Sequence, residues 1–548
     1  MAQPTQSSYD YVIVGAGSAG CALAARLSED PAVSVLLLEA GPADTRQEIH
    51  IPAAFSKLFR SDLDWSYDTE PQEQLGNRTI YWPRGKVLGG SSSINAMMWI
   101  RGFAEDYDSW VADAGQGWSW TSLLPYFLKV EKVQGAADDE TGNAGAMSVE
   151  AQRSPRSSTA VYLEAAREIG LPVNAANSRE HVGVSQTMVS QRRGARFSAA
   201  DGYLKPARRR RNLSVQTGSH TTRVLFDGTR AVGVEYVRRG VAETVNATRE
   251  VILSGGAVNT PQLLMLSGIG ARGELERHGI PVLVDSPEVG KNLKDHLVSA
   301  LIIDTDRDTL FAAERLREVA GYLGRRSGML TSNVAEAYGF IKSDPTLDQP
   351  DMELIFAPVA FVDEGLTTHP AHGLTIGNIL LQPHSSGTIT LASADPFAKP
   401  LIDPRYLSDP EGKDRAAVRV AMGVCEDIIA TEAMGRISKR TFLKPDDSDR
   451  MSRAERDELS ITHYSHTLYH PVGTARMGLD PHSVVDEQLR VRGVSGLRIA
   501  DASVMPNIIR GHTNAISIVI GEKAADLIAH PAVVPPVAVS TPEARSST

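Results

Sequence analysis

The apolar residues of this chain fall in short runs between glycine-rich turns, and the runs predict where strands and helices lie. Tyr11 to Val14 is a β-branched apolar run that reads as a strand buried on both faces, followed by Gly15-x-Gly17-x-x-Gly20 and an alanine-rich helix to Leu27. Val35 to Leu38 is the next apolar strand and delivers Glu39. Strands are also expected at Leu213 to Val215 and Val251 to Leu253. Leu374 to Gly377 and Gly387 to Leu391 alternate in the manner of a half-buried sheet. Gly85, Gly89 and Gly90 surround Lys86, and Ser91 to Ser93 then open a helix whose N-terminal amides can face an anion or a polar ring. In Ser254 to Gly270 a Gly-Gly turn leads to a helix with Thr260 as N-cap and Pro261 at its first position. No apolar stretch reaches the roughly 18 residues that span a bilayer.

The first of these units carries chemistry. Gly15 makes the tight turn, Gly17 lets the backbone approach a pyrophosphate, and Gly20 lets the helix pack close on the strand. Phosphates then sit on the helix N-terminus, around Gly15 to Gly20 with Ser18 and Ala19 between. Glu39 is placed to accept the 2′-hydroxyl of an adenosine ribose and to repel a 2′-phosphate. Such a unit binds ADP-ribose without choosing between FAD and NAD. Three features favour FAD: the position of the motif in the chain, the departure from the βαβ pattern in Gly41 to Gly90, and the lack of a second GxGxxG.

Composition narrows the partners. A chain of 548 residues exceeds what one core serves, so two domains are expected. Lys+Arg 56 against Asp+Glu 66 gives a net charge of −10, which argues against nucleic acid. The basic run Arg208 to Arg211 reads as a solvated turn. With only Cys21 and Cys425 there is no disulfide framework and no cysteine-rich metal site, as in a reducing compartment. The start, MAQPTQSS, lacks the charge and apolar core of a signal peptide, so a cytoplasmic protein is expected, with peripheral contact to the inner membrane left open. After His530 the Pro/Ser/Thr-rich tail reads as disordered, residues 536–548 in particular.

Four ordered motifs resemble the glucose-methanol-choline (GMC) family of flavin oxidoreductases. They are the glycine fingerprint; Gly85-Lys86-Val87-Leu88-Gly89-Gly90-Ser91-Ser92-Ser93-Ile94-Asn95 through Asp108; Gly256 to Gly270; and Tyr469-His470-Pro471-Val472-Gly473-Thr474-Ala475-Arg476-Met477-Gly478 with Ala500-Asp501-Ala502-Ser503 and Gly511-His512-Thr513-Asn514. Trp82-Pro83-Arg84-Gly85-Lys86 and Leu401-Ile402-Asp403-Pro404 look most like the family's bacterial choline and aliphatic-alcohol dehydrogenases. The resemblance implies an α/β fold: a Rossmann-like FAD-binding domain built from residues 1–155, 197–300 and 465–535, with an inserted α+β substrate domain of antiparallel sheet from 156–196 and 301–464. It implies FAD contacts at Gly15, Gly17, Ser18, Ala19 and Gly20, at Glu39, at Val87, Gly90, Asn95, Ala96 and Met98, at Val224 near adenine, and at Asp501, Ala502, Thr513 and Asn514. Trp65 joins this set. The position through which some family members attach FAD covalently falls on Ile94, which has no nucleophilic atom, so FAD is expected to be non-covalent.

A flavin that oxidises an alcohol needs a base for the hydroxyl proton and donors for the developing alkoxide. By resemblance the base is His470, an imidazole that titrates near working pH. Asn514 is the second residue at the flavin face, its amide holding the substrate oxygen, and His512 is a secondary candidate. The spacing of His463, His466 and His470 also suits zinc on a helix, but Tyr464, Thr467 and Tyr469 favour a strand and Pro471 forbids a continuing helix, so no metal is expected. His463 and His466 then read as ordinary, partly buried histidines. The substrate expected is an uncharged primary alcohol, aliphatic or aromatic, with a quinone-like acceptor or O2. Asp351 to Pro358 and Phe361 offer it mostly aliphatic wall, while Glu336 and Glu353 keep choline open.

Overall fold

The computed structural model describes residues 7–136, 140–445 and 448–530, so the tail expected to be disordered lies outside the described residues. Two sheets organise them. The first has seven strands in the order Leu213–Gln216, Val35–Leu38, Ser8–Val14, Val241–Leu253, Arg230–Arg238, Ser219–Asp227, with Leu497–Ile499 also pairing to Val241–Leu253. Its centre is parallel, because Ser8–Val14 and Val35–Leu38 are joined through the helix Ser18–Leu27, as a parallel pair requires. Val35–Leu38 is buried at every position and Ser8–Val14 through its last four, as expected of strands enclosed on both faces. Val241–Leu253 is the hub: its first half pairs antiparallel with Arg230–Arg238, and its last residues pair parallel with Ser8–Val14 and Leu497–Ile499. Three apolar strand ends, Val14, Leu253 and Ile499, are thereby brought together on one edge of the sheet.

The second sheet is antiparallel, in the order Ala337–Ile341, Met352–Ala357, Gly373–Leu380, Leu297–Asp304, Phe442–Lys444, with His466–Thr467 paired to Leu297–Val298. It starts before the expected boundary at 301 and takes in a strand beyond 464. Gly373–Leu380 is buried at all eight positions and does not follow the half-buried alternation expected from Leu374 to Gly377. Both faces of this sheet are covered. One packs Leu297, Leu301, Ile303, Leu354 and Phe356 against Val418, Met422 and Cys425 of the helix Lys413–Ala430. The other, with Val298, Ala300, Ile302, Ile355 and Ala357, lines a cavity between the two sheets.

Three local expectations are corrected. Gly90–Ser93 is a single 3-10 turn, not the start of a helix. Its hydroxyls turn back on the loop: Ser92 donates to Gly89 O at 2.6 Å and Ser93 to Leu88 O at 2.6 Å. The helix after Val251 to Leu253 spans Gly256–Leu266, so Pro261 lies inside it and Thr260 is not its N-cap. The Thr260 hydroxyl instead donates to Asp501 at 2.7 Å, and the same carboxylate accepts the Gly256 N–H at 2.9 Å, so the cap comes from 245 residues away. His463 belongs to the helix Arg453–Tyr464, which a capping box of Ser452 and Glu455 starts, and His466 to the strand that follows; His463 is exposed.

Candidate active site

The cavity measures about 380 Å³ and runs from the glycine turn to the cavity face of the second sheet. At its first end, Gly15 (φ 101°) has no room for a side chain: a Cβ would lie 2.4 Å from Ser254 O. A Cβ on Gly20 would lie 2.0 Å from Gly15 O, so helix and strand touch through backbone alone. Gly17 is the opposite case, facing open space with nothing within 4 Å of a Cβ. Gly90 closes over it, its own Cβ position 2.7 Å from Gly17 Cα. The N-termini of the helices Ser18–Leu27 and Thr513–Ala529 both reach this end, and their unpaired N–H groups make it electropositive. Ser18 Oγ donates to Asn514 Oδ1 at 2.7 Å, while Asn514 Nδ2 is buried with no protein partner. The open approach at Gly17 fits a dinucleotide pyrophosphate, and the Asn514 amide is left with a donor to offer the cavity.

Glu39 lines the same end, with the N–H groups of Ala16 and Gly41 donating to its two oxygens at 2.9 and 2.8 Å. It therefore fixes the glycine turn as well as facing the cavity. Burial pushes its carboxyl up from 4.5 to about 7, against the lowering pull of those backbone donors and of Lys86. With the folded-state pKa raised, its contribution to stability is fully present below about pH 4.5 and is lost as pH rises through about 7, a change of roughly 3 kcal/mol. Urea unfolding of the FAD-free protein at pH 5 and pH 8 should show that loss in the wild type and not in Glu39→Gln. Equal pH dependence in both proteins would rule it out.

Of the other expected contacts, Trp65, Asn95, Ala96, Met98, Asp501, Ala502 and Thr513 line the cavity. Trp65 is held flat against Tyr67, ring centroids 6.0 Å apart, with Lys86 Nζ 4.7 Å from its ring centroid. Val87 and Gly20 stand directly behind the lining, Val87 packed with Tyr81 and Ile94. Val224 is corrected: its side chain is in the core of the first sheet and its N–H donates to Ser267 Oγ, so its strand meets the cavity only at Ser219, His220 and Thr221. Ile94 lines the cavity and offers no nucleophile. Acid or heat treatment should accordingly release the flavin into the supernatant; colour that stays with the precipitate would refute non-covalent binding.

The catalytic candidates sit where the sheets meet. Tyr469 turns the chain in the left-handed region (φ 69°), held by its own N–H to Thr467 Oγ1 at 2.7 Å and by Arg84 donating to its carbonyl at 2.7 Å. That turn sets the His470 N–H on Asp295 Oδ1 at 2.7 Å. Asp295 is buried, and burial raises its carboxyl above the usual range; Thr467 and Tyr406 donate to its other oxygen. The His470 ring is nearly buried, its Nδ1 3.0 Å from His296 Nδ1. His512 meets it edge to face at 4.6 Å and places Nε2 3.1 Å from Glu353 Oε1. Burial, then His512, His296 and Arg84, hold the His470 pKa well below 6.5. Asn514 makes no hydrogen bond to His470; it reaches the site from the first turn of Thr513–Ala529. Sequence reasoning missed Asp295 and His296. Their one mark was three polar residues, Lys294 to His296, just ahead of an apolar strand.

A family model described as GMC oxidoreductase, N-terminal part, matches residues 9–298, and its C-terminal counterpart matches 383–521. An uncharacterized GMC-type oxidoreductase of Mycobacterium bovis is 57% identical over 96% of this chain and 99% of its own. An alcohol dehydrogenase (acceptor) of Pseudomonas putida is 43% identical over 95% of both chains. Among solved structures, a formate oxidase variant of Aspergillus oryzae RIB40, studied for FAD modification, superposes with a TM-score of 0.88 at 30% identity over 96% of this chain and 99% of its own.

Proposed function

The chain belongs to the GMC oxidoreductase family, with FAD as its cofactor, and we propose that within it this protein oxidises an uncharged primary alcohol to the aldehyde and passes the electrons to a quinone-like acceptor. The observation that carries the reading is the wall beside His470. Val298, Ala300 and Ile302 follow one another on the cavity face of a single strand, about 13 Å of apolar surface at the rise of an extended chain. Phe55, Phe59, Phe361 and Leu468 complete the apolar lining. Neither carboxylate that favoured choline lines the cavity. Glu336 is fully buried and accepts from Thr159, Ser332 and the Arg156 N–H, and Glu353 is turned to His512. Asp363, in the lining beside Phe361, is exposed, so a quaternary ammonium would lose its water shell against a wall whose one nearby carboxylate stays in water, which costs more than leaving an alkyl chain there.

Bound FAD supplies the acceptor for the hydride. Gly15 to Ser18, Glu39 and the two helix N-termini would hold its pyrophosphate and ribose. His470 takes the hydroxyl proton, and Asn514 Nδ2, which has no protein partner, donates to the substrate oxygen. The apolar wall excludes water and aligns the tail.

An acceptor-coupled screen of hexanol, benzyl alcohol and choline tests the reading: hexanol or benzyl alcohol should reduce the acceptor far faster than choline, and a preference for choline would overturn it. The likeness to formate oxidase favours a second reading, an oxidase making hydrogen peroxide. Mixing the reduced enzyme with aerated buffer separates the two, since a dehydrogenase keeps its flavin reduced.

A further inference from the structure

We infer that His296 is a positioning residue, whose ring fixes the proton of His470 on Nδ1 and so leaves Nε2 as the basic atom. His296 is completely buried, one residue before the strand Leu297–Asp304, and does not itself line the cavity. Two backbone carbonyls, of Leu381 and Ile509, stand beside the ring, and only that of Leu381 lies in hydrogen-bond geometry, 3.1 Å from Nε2. A carbonyl only accepts, so this nitrogen carries the hydrogen. Burial, with His512 next, pushes the ring down to about 3, and it is neutral at working pH. A neutral imidazole has one N–H, which leaves Nδ1 with a lone pair. That lone pair faces His470 Nδ1 at 3.0 Å. Two lone pairs do not meet at that distance, so His470 Nδ1 carries its hydrogen and donates it. The His470 ring is neutral as well, and its single hydrogen is thereby used.

What remains is a lone pair on His470 Nε2, which makes no hydrogen bond among the described residues, in a ring that lines the cavity. The arrangement runs one way, from His470 through His296 to a carbonyl that cannot reverse it. When an alcohol gives up its proton, the O–H bond breaks, an Nε2–H bond forms, and His470 becomes an imidazolium. The His470 to His296 bond then has a charged donor, the stronger kind, while His296 keeps its own hydrogen on Leu381. A buried ring left to choose would place its hydrogen on either nitrogen, and with Nε2–H it could not accept the alcohol proton.

This inference rests on the reading of His470 as the base, so its test has an arm that does not involve turnover. In 15N-histidine-labelled protein, with the His470 signals identified by their loss in His470→Asn, wild-type His470 should be protonated on Nδ1. In His296→Leu the hydrogen should move to Nε2. Rapid-mixing reduction with an alcohol that the wild type oxidises should then show a limiting rate about 100-fold lower, with the alcohol dissociation constant and FAD content unchanged. His296→Asn, which can still present an oxygen to His470 Nδ1, should restore the rate to within a few-fold. If wild-type His470 carries its hydrogen on Nε2, the inference fails even if no alcohol is found or His296→Leu does not fold. If His296→Leu reduces its flavin at the wild-type rate, it fails equally. Should no alcohol reduce the wild type while the Nδ1 hydrogen is seen, the function is wrong and the tautomer assignment stands.

Discussion

His470→Ala should slow reduction of the flavin by an alcohol about 100- to 10,000-fold, the usual worth of a positioned base, and leave FAD content unchanged. The two effects separate because the side chain and the backbone of this residue do different things. The ring meets His296 and His512, whereas the N–H holds Asp295 and so anchors the turn at Tyr469. Alanine keeps that N–H. Asn514→Ala should be milder, since it removes a donor and leaves the base. The wild-type reduction rate should fall at low pH through an apparent pKa below 6.5, because burial and the neighbouring His512, His296 and Arg84 all favour the neutral ring, and this limb should be absent from His470→Ala. Anaerobic stopped-flow spectroscopy reads both quantities. Wild-type reduction in His470→Ala, or loss of its flavin, would make His470 a packing residue and move the chemistry to His512.

Gly20→Ala should cost stability and FAD together. The added Cβ would lie 2.0 Å from Gly15 O, and the atom in the way is backbone. The helix Ser18–Leu27 cannot simply retreat, because its far side is also fixed: a Cβ on Gly521 would lie 2.3 Å from Ala19 O, so Thr513–Ala529 is packed on it without a gap. Overpacking of this kind costs about 1 to 3 kcal/mol, and any shift moves the helix N-terminus from the phosphate position. Thermal unfolding by circular dichroism, with and without added FAD, should show a lower midpoint and a weaker FAD-dependent rise. Gly273→Ala, where a Cβ meets nothing within 4 Å, is the control. A Gly20→Ala protein with wild-type midpoint and flavin content would mean that helix and strand have slack that this geometry denies.

What the sequence determined by itself is what short-range chemistry specifies. Tyr11 to Glu39 is legible as strand, turn, helix and acid because each glycine answers a local demand, and the structure places Gly15, Gly17 and Glu39 at the cavity as that pattern requires. His470 and Asn514 were legible only through resemblance; nothing in their periodicity marks them. Tertiary structure decided the rest. Thr260 looked like an N-cap until Asp501 arrived from the far end of the chain to cap that helix. Leu374 to Gly377 looked half-buried because a single strand cannot say that a helix will cover one of its faces and an apolar cavity the other. Val224 looked like a cofactor contact, and strand direction carries it into the core instead. His296 shows the limit most clearly. One polar residue ahead of an apolar strand is a blemish in a hydrophobic pattern, and it acquires meaning only when the antiparallel pairing of 294–298 with 466–472 sets its Nδ1 3.0 Å from His470 and its Nε2 on Leu381 O. A side chain's burial and the partner of each of its nitrogens depend on which distant segments share its space, and local sequence does not encode that.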